Sequence, residues 1–170
     1  MRSAKSCRRR QTLAFEIFHD QLTFTSTAGT DVFNITERVR EKVRESGIQN
    51  GLALAFVPGS TAALTTIEYE RGAVQDLVDA IERIAPQSQD YRHDARWGDG
   101  NGYAHVRAAL LGPSLTVPVV AGQLALGTWQ QMVLVDFDNR PRKRRIMIQI
   151  SGAGNSVTKK VANCKEDDHG

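Results

Sequence analysis

The chain has 170 residues, the size of one globular domain, and its 41% apolar and 24% charged residues are ordinary for a folded protein. No apolar run approaches the roughly 18 residues that a membrane-spanning helix needs, and no apolar stretch of signal-peptide length follows the basic start. This excludes a helical membrane protein and argues against export, so we expect a cytoplasmic location and no membrane partner.

The formal net charge of +3 is unevenly distributed. Five basic residues without an acidic one lie in positions 1–10, and the remainder has 17 basic and 19 acidic residues, a net charge of −2. A second basic run, "RPRKRR" at 140–145, is typical of a solvated turn or strand end, with a phosphate-binding patch as the functional alternative. Nucleic-acid binding is therefore not expected of the body of the chain.

The first elements are predicted from alternation and capping. Residues 12–18 alternate with Leu13, Phe15 and Ile17 on one side, and 22–26 alternate again after "HDQ", which predicts a hairpin. Asn34, with an acidic residue three positions later, predicts a helix start. The apolar stripe of that helix would be Ile35, Val39 and Val43, and Gly47 would end it.

The middle of the chain combines strands with helices. "GLALAFV" at 51–57 is continuously apolar and predicts a strand covered on both faces, and 64–67 predicts another extended piece. A helix with apolar positions at Val74, Leu77, Val78, Ile81 and Ile84 is predicted between Gly72 and Pro86. A shorter helix is expected at about 103–111.

The last third predicts antiparallel strands. "SLTVPVV" and "QLALG" flank a turn at 121–122, "TWQQMVLVDF" alternates with Trp129 on its apolar side, and Ile146, Ile148 and Ile150 alternate with polar residues. Strands without regular βα alternation indicate an α+β fold with an antiparallel β-sandwich-like core and about three helices. We expect a flexible basic arm at 1–11, one domain at 12–152 and a flexible polar tail at 153–170.

The segment "YRHDARWGDGNGYAHVRAAL" at 91–110 concentrates side chains that form sites. It contains His93 and His105, with Asp94, Asp99 and Asn101 between them. Imidazole is the commonest metal ligand, and a helix N-terminus near His105 would favour an anion. The segment therefore predicts a metal site, a phosphate site helped by Arg92, Arg96 or Arg107, or a polar loop rich in turn formers.

Two further stretches are candidates for binding. "PGSTAALTTIE" offers Ser60 and Thr61 as a hydroxyl-lined anion pocket, with a plain turn before a strand as the alternative. It lacks the Gly-Lys-Ser/Thr ending of a Walker loop, and no G-x-S-x-G elbow occurs in the chain. "LGTWQQ" offers Thr128, Trp129 and Gln130 as ligand contacts, against a core or interface position for the tryptophan.

These three stretches, in this order, resemble the YjbQ family, the secondary thiamine-phosphate synthase family. The resemblance runs from about residue 15 to residue 152, and "GDGNGYAHVRAALLGPSLTVPV" followed by "LGTWQ" carries most of it. The Gly-Ser-Thr-Ala of the first stretch is similar to the archaeal and thermophile branch. The resemblance implies a compact α+β domain that assembles as a homotrimer with sites near subunit interfaces.

The resemblance also implies an activity and its residues. The activity joins an aminopyrimidine diphosphate to a thiazole phosphate and releases pyrophosphate, either as the main role or as a side activity. Catalytic positions would be His93, His105 and Glu68, with His93 and His105 as ligands of a divalent metal, zinc or magnesium. The residues implied in binding phosphorylated substrates are Ser60, Thr61, Asp99, Asn101, Thr128, Trp129 and Gln130.

One departure from the family pattern affects the metal. Many relatives have a histidine in the first motif where this chain has Gly59, so a three-ligand site here would need Glu68 or a carboxylate of the loop. The alternative hypothesis is a non-catalytic protein that binds a metal or phosphate, because no nucleophile–base pattern is recognisable. Nucleic-acid binding through the two basic runs is a third, weaker hypothesis.

Overall fold

A computed structural model of the chain describes residues 14–154. The predicted arm at 1–11, Leu13 and the tail from residue 155 lie outside the described residues, whereas Ala153 and Gly154, expected in the tail, belong to the last strand. The strands are β1 (Phe15–Thr25), β2 (Asp31–Asn34), β3 (Ile48–Phe56), β4 (Ala62–Ile67), β5 (Ser114–Val120), β6 (Gln123–Leu124), β7 (Gln131–Asp136) and β8 (Lys143–Gly154). The helices are α1 (Thr36–Ser46), α2 (Arg71–Ile84), α3 (Arg92–Trp97) and α4 (Gly102–Leu111).

The strands form two antiparallel sheets, which confirms the predicted α+β class with a sandwich-like core. The larger sheet has the order β1-β8-β3-β5-β6, and the smaller has the order β2-β7-β4. All pairings recorded between strands are antiparallel. Among residues 14–154, no helix is long and apolar enough to cross a membrane.

The small sheet is the middle layer of the molecule. One apolar cluster fills the space between the two sheets and includes α1, and a second lies between the small sheet, α2 and α4. Met132 and Leu134 of β7 belong to the first cluster, whereas Val133 and Val135 belong to the second. Strand β7 is therefore buried on both faces, so the predicted alternation with a single apolar side is wrong for this strand.

The predicted hairpin at residues 12–26 is wrong. Residues 15–25 form one strand that pairs with β8 along its whole length, so "HDQ" is part of the strand. The predicted inward side is also reversed, because Phe15 is 71% exposed and Ile17 is exposed, whereas Leu22 is buried. The polar "HDQ" residues fit a strand because one face of the sheet is open.

The prediction for α1 is confirmed, and that for β3 is correct for one face. Val39 and Val43 are buried, Gly47 ends the helix with a positive φ of 68°, and the Asn34 side chain accepts the backbone N–H of Thr36. In β3, however, Leu52 and Phe56 are exposed. The outer face of the large sheet is uncovered in the single chain, which is why the expected two-sided burial is wrong.

The middle segment contains one more helix than expected. Helix α2 begins at Arg71, with the Glu70 carboxylate accepting the backbone N–H of Gly72 and Ala73. Helix α4 begins at Gly102, close to the predicted start. The missed helix is α3, whose six residues are too few to show an apolar period.

Candidate functional site

The two histidines are brought together by the short helix α3 and the start of α4. His93 lies in the first turn of α3 and His105 in the first turns of α4. The connection reverses direction through Gly98 and Gly100, whose φ angles of 67° and 65° are left-handed and favour glycine. The glycine-rich sequence is therefore what allows the loop to fold back.

The histidine cluster consists of His93, Asp99, Asn101 and His105. The imidazole rings of His93 and His105 have centroids 4.3 Å apart and are inclined by 51°. The His93 Nε2 atom lies 3.3 Å from Oδ1 of Asp99. In the amide orientation that satisfies its neighbours, the Asn101 nitrogen lies 3.2 Å from Asp99 Oδ1 and 3.3 Å from His93 Nε2.

Three hydrogen bonds formed by residues outside the cluster hold the loop in place. Asp94 Oδ1 accepts the backbone N–H of Gly102 at 2.8 Å, which ties α3 to the start of α4. From the β7–β8 connection, Asn139 Nδ2 donates to the carbonyl oxygens of Asp99 at 2.8 Å and of Gly100 at 3.1 Å. These bonds hold the loop backbone, which places the Asp99 carboxylate beside His93.

The donor set of this region can hold a metal ion. His93, Asp94 and Asp99 each offer a ligand atom, and these atoms lie within 4.8 Å of one another. His105, expected as a ligand from the sequence, is outside that group of three but packs against the His93 ring. The residues present therefore fit a divalent cation with one nitrogen and two carboxylate ligands.

The histidines line an open depression of about 500 Å³, named here the histidine depression. Arg92 and Asp90 line it with the two imidazoles, and Ile84 and Val106 supply apolar wall. Arg92 is exposed and extends the positive charge available to an anion. The depression is large enough for a small phosphorylated molecule.

The arginine of α4 is not part of this surface. Arg107, expected among the phosphate-binding arginines, is 2% exposed, donates to the Ala85 carbonyl oxygen at 2.9 Å and is paired with Glu82. Its guanidinium also lies over the ring of Tyr103. It joins α4 to the end of α2, so the prediction of phosphate binding by Arg107 is wrong.

The hydroxyl of Thr61 belongs to a buried ionic network. It donates to Asp138 Oδ2 at 2.8 Å and accepts from Arg144 Nη2 at 2.7 Å. Arg144 also forms a bidentate ion pair with Asp136, in which Nε lies 2.6 Å from Oδ2 and Nη2 lies 2.7 Å from Oδ1. The neighbouring Ser60 is exposed, so of the two predicted hydroxyls only that of Ser60 faces solvent.

This network sets the charge state of Asp138. Burial raises the pKa of the Asp138 carboxyl, but hydrogen bonds from Arg142 and Thr61 outweigh that effect and hold the pKa below its ordinary value of 3.8. The next residue, Asn139, holds the Asp99 loop. The network therefore anchors the β7–β8 connection that supports the histidine cluster.

The remaining predicted residues lie in a different part of the surface. Glu68 and Trp129 line a second depression of about 360 Å³, named here the tryptophan depression, which shares no lining residue with the histidine depression. Trp129 is exposed, contrary to its predicted place on the apolar side of a strand. Thr128 is exposed, and Gln130 Nε2 donates to the Thr66 hydroxyl at 3.1 Å.

Sequence reasoning missed the residues that support the site from a distance. Asn139 and the ionic network lie about forty positions after the histidine loop, in a turn that carries no motif. The only available signal was the charged run "DFDNRPRKRR" at the end of a buried strand, in which two acidic residues are followed by five basic ones. Such a run is more often solvated, and here Arg144 is 9% exposed.

Comparison with known families identifies the fold. A family model described as "UPF0047 protein YjbQ-like" matches residues 20–153. A UPF0047 protein of Archaeoglobus fulgidus is 40% identical over 129 residues, which cover 76% of this chain and 98% of that protein. One from Mycobacterium bovis is 38% identical over 122 residues, covering 72% and 92%.

Solved structures agree with this assignment. A YbjQ-like protein of unknown function from Sulfolobus solfataricus superposes with a TM-score of 0.78 at 34% identity, covering 82% of this chain and 99% of that one. A YjbQ/UPF0047 family protein of Clostridium acetobutylicum gives a TM-score of 0.71 at 30% identity, covering 77% and 98%. On both sequence and fold, this chain belongs to the YjbQ-like UPF0047 family.

Proposed function

We propose that the histidine cluster binds a phosphorylated small molecule with a divalent cation, and that the chain acts as a thiamine-phosphate synthase. The observation that carries the proposal is the convergence of His93, Asp99 and His105 at the edge of one depression. Imidazole and carboxylate groups together are suited to metal and proton chemistry. The family resemblance supplies the substrate class.

The donor types favour zinc over magnesium. Magnesium prefers six oxygen ligands and keeps several waters, whereas zinc accepts mixed nitrogen and oxygen ligands. His93 and Asp99 would hold the ion, with the Asp94 carboxylate as a further ligand. When bound, the ion would supply positive charge to phosphate oxygens.

The reaction needs alignment and charge stabilisation more than a strong base. The thiazole nitrogen attacks the methylene carbon of the aminopyrimidine diphosphate, and the C–O bond to the diphosphate breaks as pyrophosphate leaves with the electron pair. Arg92 and the His105 imidazole are placed to stabilise the departing anion. Alignment of the two reactants in one depression supplies the rest.

The test is formation of thiamine phosphate from the two precursors by the purified protein. We expect activity that falls at least about hundredfold in His93→Ala and in His105→Ala, the size of loss typical of a general acid or base. His19→Ala, which removes an exposed imidazole of β1, should keep the activity. Equal rates in the parent and both site variants would contradict the assigned roles.

A second candidate is a binding protein without catalysis. It is favoured by the hydrogen bonding of the cluster, because within residues 14–154 no serine, threonine or cysteine is hydrogen-bonded to either histidine of the cluster. In that case the protein would bind zinc and pyrophosphate without forming product. Calorimetry with zinc and with pyrophosphate, run on the same preparation as the product assay, distinguishes the binding protein from the synthase.

The homotrimer expected from the resemblance belongs to the same proposal. The outer face of the large sheet exposes six large apolar side chains in the single chain: Phe15, Ile17, Leu52, Phe56, Val120 and Met147. A continuous apolar sheet face of this kind is characteristic of a subunit interface. In the trimer, Glu68 would reach the histidines only from a neighbouring subunit, and its predicted catalytic role depends on that arrangement.

Nucleic-acid binding through the basic run at 140–145 gains no support from the contacts of that run. Arg144 is paired with Asp136, and Arg142 Nε donates to Asp138 at 2.9 Å. Only Arg140, Lys143 and Arg145 of the run's cations point away from this network. Phosphate backbones would therefore meet fewer free charges than the sequence suggests.

A further inference from the structure

The tryptophan depression lies apart from the histidine cluster and has a distinct chemistry. It is formed where the start of α1, the β4–α2 connection and the loop before β7 meet. Its walls carry two aromatic side chains, Tyr69 and Trp129, and the charged groups Glu37, Arg40, Glu68 and Glu70. None of these residues contacts the histidine cluster among the contacts of residues 14–154.

Both aromatic rings are exposed yet held by fixed backbone. Trp129 is 69% exposed and sits in a turn braced by Gln130, whose N–H donates to the Gly127 carbonyl and whose Oε1 accepts the Gly127 N–H. Tyr69 is 43% exposed, its N–H donates to Gln131 Oε1 at 2.8 Å, and its hydroxyl donates to the Val32 carbonyl at 3.1 Å. A large aromatic surface kept open by such bracing indicates a contact surface.

The carboxylates of the depression differ in what they bind within the chain. Glu37 pairs with Arg40 at 2.5 Å, and Glu70 accepts two backbone N–H groups at the start of α2, which lowers its pKa. The Glu68 carboxylate has no hydrogen-bond or ion-pair partner among residues 14–154. One negative group therefore remains for a ligand beside the two rings.

We propose that the tryptophan depression binds a small organic cation, a quaternary or aromatic ammonium, against the rings of Trp129 and Tyr69 with Glu68 as counter-ion. Aromatic faces attract organic cations through their negative π-surfaces, and tryptophan does so best. A bare metal ion would gain little from the rings and would find one free carboxylate. The site includes Glu68 and Trp129, which the family resemblance also implies in the synthase, but cation binding requires neither the histidine cluster nor catalysis.

The experiment uses choline as the probe and a neutral partner of the same shape, the alcohol in which a tert-butyl group replaces the trimethylammonium group. The chain has two tryptophans, so Trp97→Phe leaves Trp129 as the sole indole reporter. We expect choline to change the Trp129 emission in a saturable way, and the neutral analogue to bind at least about fivefold more weakly.

Variants separate charge from apolar contact. Glu68→Gln in the Trp97→Phe background should weaken choline binding about fivefold or more, because it removes the counter-ion and keeps the shape. Glu41→Gln, an exposed glutamate of α1 outside the depression, should leave the affinity unchanged. His93→Ala should also retain choline binding, which keeps this result separate from the fate of the synthase proposal.

Other outcomes overturn the proposal. Equal binding of choline and the neutral analogue would show an apolar patch without cation preference. Absence of a saturable emission change up to high millimolar choline would show that the rings take no such ligand. A third outcome combines two results: the parent does not bind choline, and Trp129→Ser loses self-association in sedimentation. That outcome would assign the rings to an interface between copies.

Discussion

At the scale of single residues, Asp138 links stability to the site. Its carboxylate accepts from Thr61 and Arg142 in a nearly solvent-free environment, and the next residue carries the Asp99 loop. Removing the charge leaves the guanidinium groups of Arg142 and Arg144 with one ion-pair partner fewer each. Asp138→Asn should therefore lower the free energy of unfolding by about 2 kcal/mol at neutral pH.

The pH dependence of that effect has a defined direction. The folded pKa of Asp138 lies below the ordinary value of 3.8, so its stabilising contribution is complete well above that value and is lost as the pH falls toward the folded pKa. Urea unfolding from pH 7 down to about pH 3 should show the difference between parent and Asp138→Asn shrinking below about pH 4. A difference independent of pH would contradict the ionic role.

At the residue scale, the sequence indicated which side chains lie together where they are neighbours in the chain. His93, Asp99, Asn101 and His105 are close in sequence as well as in space. Arg107 was misjudged because its partners, Glu82 and the Ala85 carbonyl, lie on α2 and beyond. Asn139 was missed for the same reason, since its contacts span about forty positions.

At the scale of elements, the close approach of β3 and β8 depends on a glycine. A methyl group at Gly51 would overlap the carbonyl oxygen of Ser151 and lie 2.8 Å from Gly152 Cα, both of them backbone atoms of the neighbouring strand β8. Gly51→Ala must therefore separate two paired strands. We expect a loss of about 2 kcal/mol or more in unfolding free energy.

The matched control for that substitution is Gly127→Ala. An added methyl group there meets no atom nearer than 3.7 Å, so the stability should change by less than about 0.5 kcal/mol. Thermal and urea unfolding of both variants measures the contrast. Equal stability of Gly51→Ala and the parent would show that the two strands can move apart freely.

Element boundaries were predictable where one face alone is buried. The stripe of α1 and the alternating isoleucines of β8 both show that pattern, and both were confirmed. Strand β1 was misread because its outer face carries Phe15 and Ile17 at one end and polar residues in the middle. Apolar content alone does not indicate the inward face of a sheet whose outer face also carries large apolar side chains.

At the scale of the whole molecule, the uncovered face of the large sheet is where the proposed trimer would form. If the trimer buries this face, Leu52→Arg and Met147→Arg should each place a charge in the interface and shift the protein toward monomers. Leu110→Arg, which changes an exposed leucine of α4 away from this face, should keep the parent's assembly. Sedimentation velocity distinguishes these states, and a trimer in all variants would place the interface elsewhere.

The layer order of the molecule was only partly predictable. Strand β7 was predicted to alternate with one apolar side, whereas both of its faces are buried. In β3 the error is the opposite one, because continuous apolar sequence predicted a covered face that is open in the single chain. The two depressions could not be separated from sequence, because the family motifs that contain Glu68 and His93 suggested one site. Their separation depends on the strand order of two sheets.

The central claim is that His93 and Asp99 form a metal-assisted phosphate site, and zinc titration by calorimetry tests it most directly. We predict one zinc per chain in the parent and in His19→Ala, with affinity reduced at least about tenfold in His93→Ala and in Asp99→Asn. Both site variants must keep the parent's unfolding midpoint for the comparison to hold. Zinc binding of equal affinity and stoichiometry in all four proteins, or none in the parent, would contradict the claim.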